Sequence, residues 1–205
     1  MSFQWIINNA TSMEINRMPI VASTTARDNT VRQVSRGGNV WTFTVRLPDG
    51  PRWTDYRQNV SLAEADRLET NTINFANSGL SWMFDYQGSH TSTSGNISVT
   101  VPSSGNTVTI TSAPTLTSGY HFRAGDIIQL GSVGKCYSVA ADVAFNQTVI
   151  TLNRPLLNES SGTQTLRVGD ACEWTVQCAS FPQMSFIARD QIGWSGPFVF
   201  VEYFS

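Results

Sequence analysis

The residue types able to do chemistry in this chain are two histidines, a group of carboxylates, three aromatic side chains and three cysteines. His90 and His121 are isolated from each other and from acidic neighbours, and each falls in a Ser/Thr/Gly-rich connection. No H-E-x-x-H pattern, nucleophile elbow, phosphate loop or dinucleotide fingerprint surrounds them. Asp126, Asp142, Glu159 and Asp170 would act as acid and base if the fold brought two of them together at a set separation. They are the four negative charges of a stretch, 93–170, that also holds four positive ones. Balanced and scattered, they read as solvated turn residues. Tyr120, Phe122 and Tyr137 could form an aromatic platform for a sugar or a base, against the commoner use of such rings in core or rim packing. Arg27 beside Asp28, and Arg32 with Arg36, read as a solvated loop rather than an anion site. Catalytic, cofactor-binding and metal-ligating residues are all expected to be absent. The only candidate contacts are Tyr120, Phe122 and Tyr137, toward glycan.

The 205 residues carry a net charge of −2 and a hydrophobic fraction of 40%. That fraction supports an ordinary core. The charge offers no footprint for nucleic acid or for an anionic membrane. Twelve arginines stand against the single Lys135. Arginine suits interfacial pairing and lysine is depleted at interfaces, so the bias is compatible with protein–protein packing as well as with lineage. Met1-Ser-Phe-Gln-Trp5 has no basic region before an apolar run, so no signal peptide is expected. No apolar run approaches the ~18–20 residues of a membrane span. Cys136, Cys172 and Cys178 are an odd count without C-x-x-C spacing, which favours buried thiols in a reducing compartment. Cys172 and Cys178 on one strand would lie roughly 20 Å apart, beyond disulfide reach.

The elements that would position these residues are mostly strands. Trp5–Ile7 and Glu14–Ile20 read as short strands, and Gly37-Gly38-Asn39 as a turn before a strand from Asn39 to Leu47. Ser61-Leu-Ala-Glu64 has the form of a capping box and predicts a helix over about 61–77, closed by Asn77-Ser-Gly79. Leu80–Tyr86 reads as a buried strand. Six short strands follow at 96–101, 107–111, 126–130, 135–139, 148–152 and 163–168, with turns between them. Arg123-Ala-Gly-Asp126 and Arg167-Val-Gly-Asp170 each read as a Gly-Asp turn leading into a strand. Aromatic strands return at Cys172–Cys178 and Gly196–Phe204.

All six tryptophans, at 5, 41, 53, 82, 174 and 194, lie outside the stretch 93–170. The late aromatic strands have no partners of their own kind in that stretch, so they are expected to pair with strands before Tyr86, with Trp174, Trp41 and Trp82 in one core. The predicted organisation is a discontinuous β domain, 1–92 plus 171–205, interrupted by an OB-like β-barrel at 93–170. The fold class is mainly β, a β-sandwich or split barrel with one α-helix and a small inserted barrel.

This order of elements resembles the distal tail proteins of long-tailed siphophages, the small type with an OB-fold insertion. The resemblance runs over most of the chain after about Val40. Its most specific stretch is Arg123-Ala-Gly-Asp-Ile-Ile-Gln-Leu130, followed by Lys135-Cys-Tyr-Ser-Val139 and Thr148-Val-Ile-Thr-Leu152-Asn-Arg-Pro-Leu156. The resemblance implies a non-enzymatic structural protein of the virion tail tip, made and assembled in the host bacterial cytoplasm. It implies a homo-hexameric ring joining the tail tube protein to the tip hub protein and leaving a channel for DNA. The alternative is a carbohydrate-binding role, with the inserted barrel touching host surface polysaccharide.

Overall fold

The computed structural model describes residues 3–25, 31–91, 93–132 and 134–203. The readings made for Arg27, Asp28 and Phe204, and for the side chains of Arg32 and Arg36, lie outside the described residues. The fold is mainly β, 42% strand and 14% helix, with curled antiparallel sheets. Two compact units are present. The first comprises Met1–Asn16, Thr42–Asp85 and Gly169–Ser205, and the second Arg17–Trp41 with Tyr86–Val168. Arg17–Trp41 thus counts with the second unit, although its place in the chain assigns it to the first.

The first unit opens with a short helix α1 (Gln4–Asn8), where the sequence pattern predicts a strand. A run of three apolar residues carries no period to separate the two. Strands β1 (Ser12–Thr25) and β2 (Val31–Arg46) follow, and Gly37-Gly38 lies inside β2 rather than in a turn. After helix α2 (Trp53–Ala65) come β3 (Thr70–Ile73) and a 3₁₀ turn at Ser81–Phe84, which replaces the strand expected at Leu80–Tyr86. The late strands of this unit are β12 (Trp174–Ser180), β13 (Met184–Ala188), β14 (Gln191–Trp194) and β15 (Phe198–Glu202). Of these, β12 and β15 join the early ones in a five-stranded sheet of order β1-β2-β15-β12-β3, and β13 pairs with β14 in a sheet of two. Phe200 faces Phe43 across β15 and β2, and Trp174 faces Ile73 across β12 and β3. The expected pairing of late with early strands is therefore present. Alternation along β15 buries Phe198 and Phe200. Trp174 is 1% exposed, with Phe43, Phe75 and Phe84 ring centroids 5.3–5.5 Å away. Trp82 is 66% exposed and belongs to no core, and Trp41 falls in the second unit.

Helix α2 corrects the predicted span of 61–77. Ser61 and Glu64 are interior, and the true start is capped from far along the chain. Asp190, in the tight turn between β13 and β14, accepts from the Thr54 backbone N–H at 3.0 Å and from the Thr54 hydroxyl at 2.9 Å. A carboxylate at a helix N-terminus satisfies open amides and meets the positive end of the dipole. At the far end, Thr70 to Ile73 pairs with β12, which takes those residues out of any helix.

The second unit contains β4 (Ser98–Val101), β5 (Thr107–Ser112), β6 (Tyr120–Phe122), β7 (Ile127–Leu130), β8 (Cys136–Ser138), β9 (Val143–Ala144), β10 (Val149–Thr151) and β11 (Gly162–Val168). Six of these form one sheet of order β10-β5-β4-β11-β7-β8, one strand more than an OB barrel. A bridge between Val139 and Leu152 then joins the outer edge of β8 to the end of β10. Ala140 N–H to Thr151 O at 2.8 Å and Asn153 N–H to Ser138 O at 2.9 Å flank it. The sheet thereby curls onto itself, which removes edges that would otherwise invite pairing. Val99, Val108, Ile128, Ile150 and Leu166 fill its interior. Gly125 and Gly169 both hold positive φ, at 103° and 66°, so both Gly-Asp turns need glycine. The first leads into β7, and the second into a 3₁₀ turn at Gly169–Ala171 rather than a strand.

Cys136 and Cys172 are buried free thiols, whereas Cys178 is only half-buried. Cys178 donates from Sγ to Ser180 O at 3.3 Å, and burial pushes its thiol up from the ordinary value.

Candidate functional site

The two histidines that the sequence leaves apart meet in the second unit. The chain from Tyr86 to His90 forms a strap along β6. Ser89 donates its N–H to Tyr120 O at 2.9 Å and its hydroxyl accepts from Tyr120 N–H at 3.1 Å. Tyr86 donates from its hydroxyl to His121 O. Gly88 lies so close that a Cβ there would fall 2.7 Å from the same carbonyl, so the strap tolerates no side chain at this point. His90 Nε2 is 2.9 Å from His121 Nδ1, and His121 Nε2 is 3.0 Å from Phe145 O. Each histidine is 8% exposed. A carbonyl only accepts, so the network assigns the proton of neutral His121 to Nε2 and leaves Nδ1 as an acceptor. His90 must then donate from Nε2. Burial, and then the neighbouring His121, push His90 below its ordinary value of 6.5. Burial raises the Tyr86 hydroxyl to about 12, with the Asp126 charge adding to the rise.

Of the four carboxylates, the fold brings Asp126 and Asp142 to one turn. Asp126 is buried and accepts from Gln87 N–H at 2.9 Å and Arg123 N–H at 2.8 Å. Asp142 accepts from Ala124 N–H at 2.8 Å and pairs with the Arg123 guanidinium at 3.1 Å. The Arg123 guanidinium also lies 3.8 Å from the centre of the Tyr120 ring. Burial holds the Asp126 carboxyl above the ordinary range, whereas the Ala124 amide is the main cause holding that of Asp142 below it. Values pushed apart are a mark of acid–base pairs. Here, however, all four carboxylate oxygens accept hydrogen bonds that fix the turn before β7. Replacing Asp126 by alanine would leave two amides without their acceptor, and about 2 kcal/mol of stability should be lost in urea unfolding. Glu159 is engaged elsewhere in the unit, and Asp170 belongs to the first unit.

The aromatic platform is not assembled. Phe122 and Tyr137 are fully buried, so neither presents a ring face to a sugar, and Tyr120 alone keeps partial exposure. Tyr137 instead anchors a loop. Its hydroxyl donates to Glu159 Oε1 at 2.8 Å and accepts from Leu157 N–H at 3.0 Å. The same Glu159 oxygen accepts from Lys135 N–H at 2.8 Å. Arg154, 2% exposed, lies over the Tyr137 ring at 5.0 Å. It donates to Cys136 O at 2.7 Å and to Asn39 O.

The first unit offers a different surface. Leu62, Leu68, Trp82, Phe186 and Ile187 are each more than half exposed. Phe186 makes an edge contact with Trp53 at 5.6 Å, and Trp53, Arg57 and Leu62 line an open groove. Among the described residues no helix is long and apolar enough to cross a membrane, and no three His, Cys, Asp or Glu side chains are grouped to hold a metal ion. No protein-family model matches the chain, and no curated protein matches it.

The histidine pair and the Asp190 cap are the arrangements that sequence reasoning misses. Tyr120-His-Phe122 between a glycine and a Gly-Asp turn is the available local hint that His121 lies on a strand. Nothing local signals its partner.

Proposed function

We propose that the chain is a structural component of a bacteriophage tail tip. In this reading, copies of it form a hexameric ring that connects the tail tube protein to the tip hub protein. The single observation that carries the reading is the pair of neighbouring strands β1 and β2. Its strands of 14 and 16 residues exceed the usual ~3–10, and β1 is the terminal strand of its sheet among the described residues. A long terminal strand invites pairing with another chain, and a closed ring of copies is one way to cover such an edge. The exposed Phe186, Ile187, Leu62 and Trp82 of the first unit supply apolar surface for contacts between copies. The resemblance of the order of elements read from the sequence, and of Arg123–Leu130, to siphophage distal tail proteins agrees with it. In this reading the protein is not an enzyme, inserts into no membrane and makes no specific nucleic-acid contact.

Negative-stain electron microscopy of the purified protein, alone and with its tail tube protein, should show six-fold rings, and mass spectrometry should find the chain in virions. A chain absent from virions and monomeric under both conditions would sink the proposal.

A further inference from the structure

We infer that His90 and His121 form an acid-sensitive latch on the strap Tyr86–His90, closed when the pair is neutral and opened when both rings are protonated. The two ring nitrogens are 2.9 Å apart, and the Phe145 carbonyl fixes which of them is the acceptor. A first added proton enters at His90 Nδ1. It keeps the Nε2–H···Nδ1 bond and makes its donor cationic. A second proton must occupy His121 Nδ1, the acceptor itself. The bond is then replaced by two N–H groups pointing at each other on two buried cations, an arrangement that burial and like charge both oppose.

The other titratable or charged groups around the pair are Tyr86, Asp126, Arg123 and Asp142. The Tyr86 ring stacks on His90 at 6.4 Å with its hydroxyl held by His121 O. Asp126, Arg123 and Asp142 bond one another and the neighbouring amides. Among the described residues none of the four hydrogen-bonds to an imidazole, so none is placed to take up the excess charge. The other ties of the strap are the Ser89 bonds to Tyr120, the Tyr86 bond to His121 O, the Gln87 bond to Asp126 and the edge contact of the Tyr86 ring with Phe122. Losing the central pair therefore leaves the His90 end of the strap without its side-chain bond to β6 and loosens the strap from that end. The sign follows from His90 lying below 6.5 when folded. Between those two values the unfolded chain binds more protons. Folding stability is at full strength above 6.5 and falls as the pH drops from there toward the folded value, while the bond itself survives the first proton and the latch opens only with the second.

The chain holds two histidines, so a proton–carbon correlation spectrum of its imidazoles contains two signals. On acid titration of the full chain they should move in two coupled steps rather than independently. Amide exchange, corrected for its intrinsic pH dependence, should rise in 86–91 and 119–122 over the same range, with 97–101 unchanged. In His90→Gln the side-chain amide still donates to His121 but takes no proton, and the acid response of the strap should shrink several-fold. Signals that titrate independently near 6.5, a strap exchanging equally at neutral and acidic pH, or a His90→Gln chain with an undiminished acid response would each overturn the latch.

Discussion

Replacing Trp174 by alanine should destabilise the first unit by about 4 kcal/mol, the range for emptying a large aromatic site in a packed core. The indole is 1% exposed and touches three phenylalanines that come from separate parts of the chain: Phe43 on β2, Phe75 after β3, and Phe84 in the 3₁₀ turn. Phe75 and Phe84 also stack on each other at 4.4 Å. Each ring leans on the next, so the hole left by the indole cannot be filled by a single rotamer change. Collapse would have to move β2 and β12, which are fixed by their pairing to β15. Urea unfolding followed by hydrogen exchange should place the loss in 42–85 and 169–205. Trp174→Phe keeps most of the volume and should lose much less. A loss for the alanine variant below about 1 kcal/mol, the size of an ordinary surface change, would mean that the cluster is not the core of this unit.

Arg154→Ala should cost the second unit about 3 kcal/mol, since two bonds from a charged donor are lost and the carbonyls they served stay buried. The guanidinium donates to Cys136 O at 2.7 Å and to Asn39 O while covering the face of Tyr137. Arg154→Lys retains the charge but lacks the planar fork that reaches two acceptors, so it should recover part of the loss. Exchange should rise most at 39–41 and 136–138. An alanine variant as stable as the parent would show that water replaces the side chain at both carbonyls.

Where the fold was legible in the sequence, period-two alternation made it so. Val99, Val101, Val108 and Ile110 alternate with threonines, and the strands of the curled sheet lie where that alternation places them. The short strands β6 and β9 are missing from the sequence pattern because two or three residues cannot display a period. The start of α2 was illegible for a different reason. Ser61-Leu-Ala-Glu64 has the form of a capping box but lies inside the helix, and Asp190, 136 positions from Thr54, supplies the cap that the fold uses. Gly37-Gly38 reads as a turn because glycine usually punctuates, yet sheet pairing can carry glycine through a strand. Site residues fared similarly. Phe122 and Tyr137 carry no mark that separates an exposed ring from a buried one. His90 and His121, 31 positions apart, become a pair only through the return of the strap to β6.

The bond from Arg154 to Asn39 O also limits how this protein can exchange parts with relatives. Residues 86–168 are one continuous run of the chain, ordinarily the kind of segment that recombination swaps whole. The second unit, however, also includes Arg17–Trp41, and the Arg17 guanidinium lies 4.4 Å from the centre of the Trp41 ring within it. A crossover that replaced 86–168 alone would bring a foreign loop to the place of Arg154 and leave this arm without its clamp. Viable hybrids should therefore inherit both segments from the same parent. The second unit is two pieces of chain held together by that clamp.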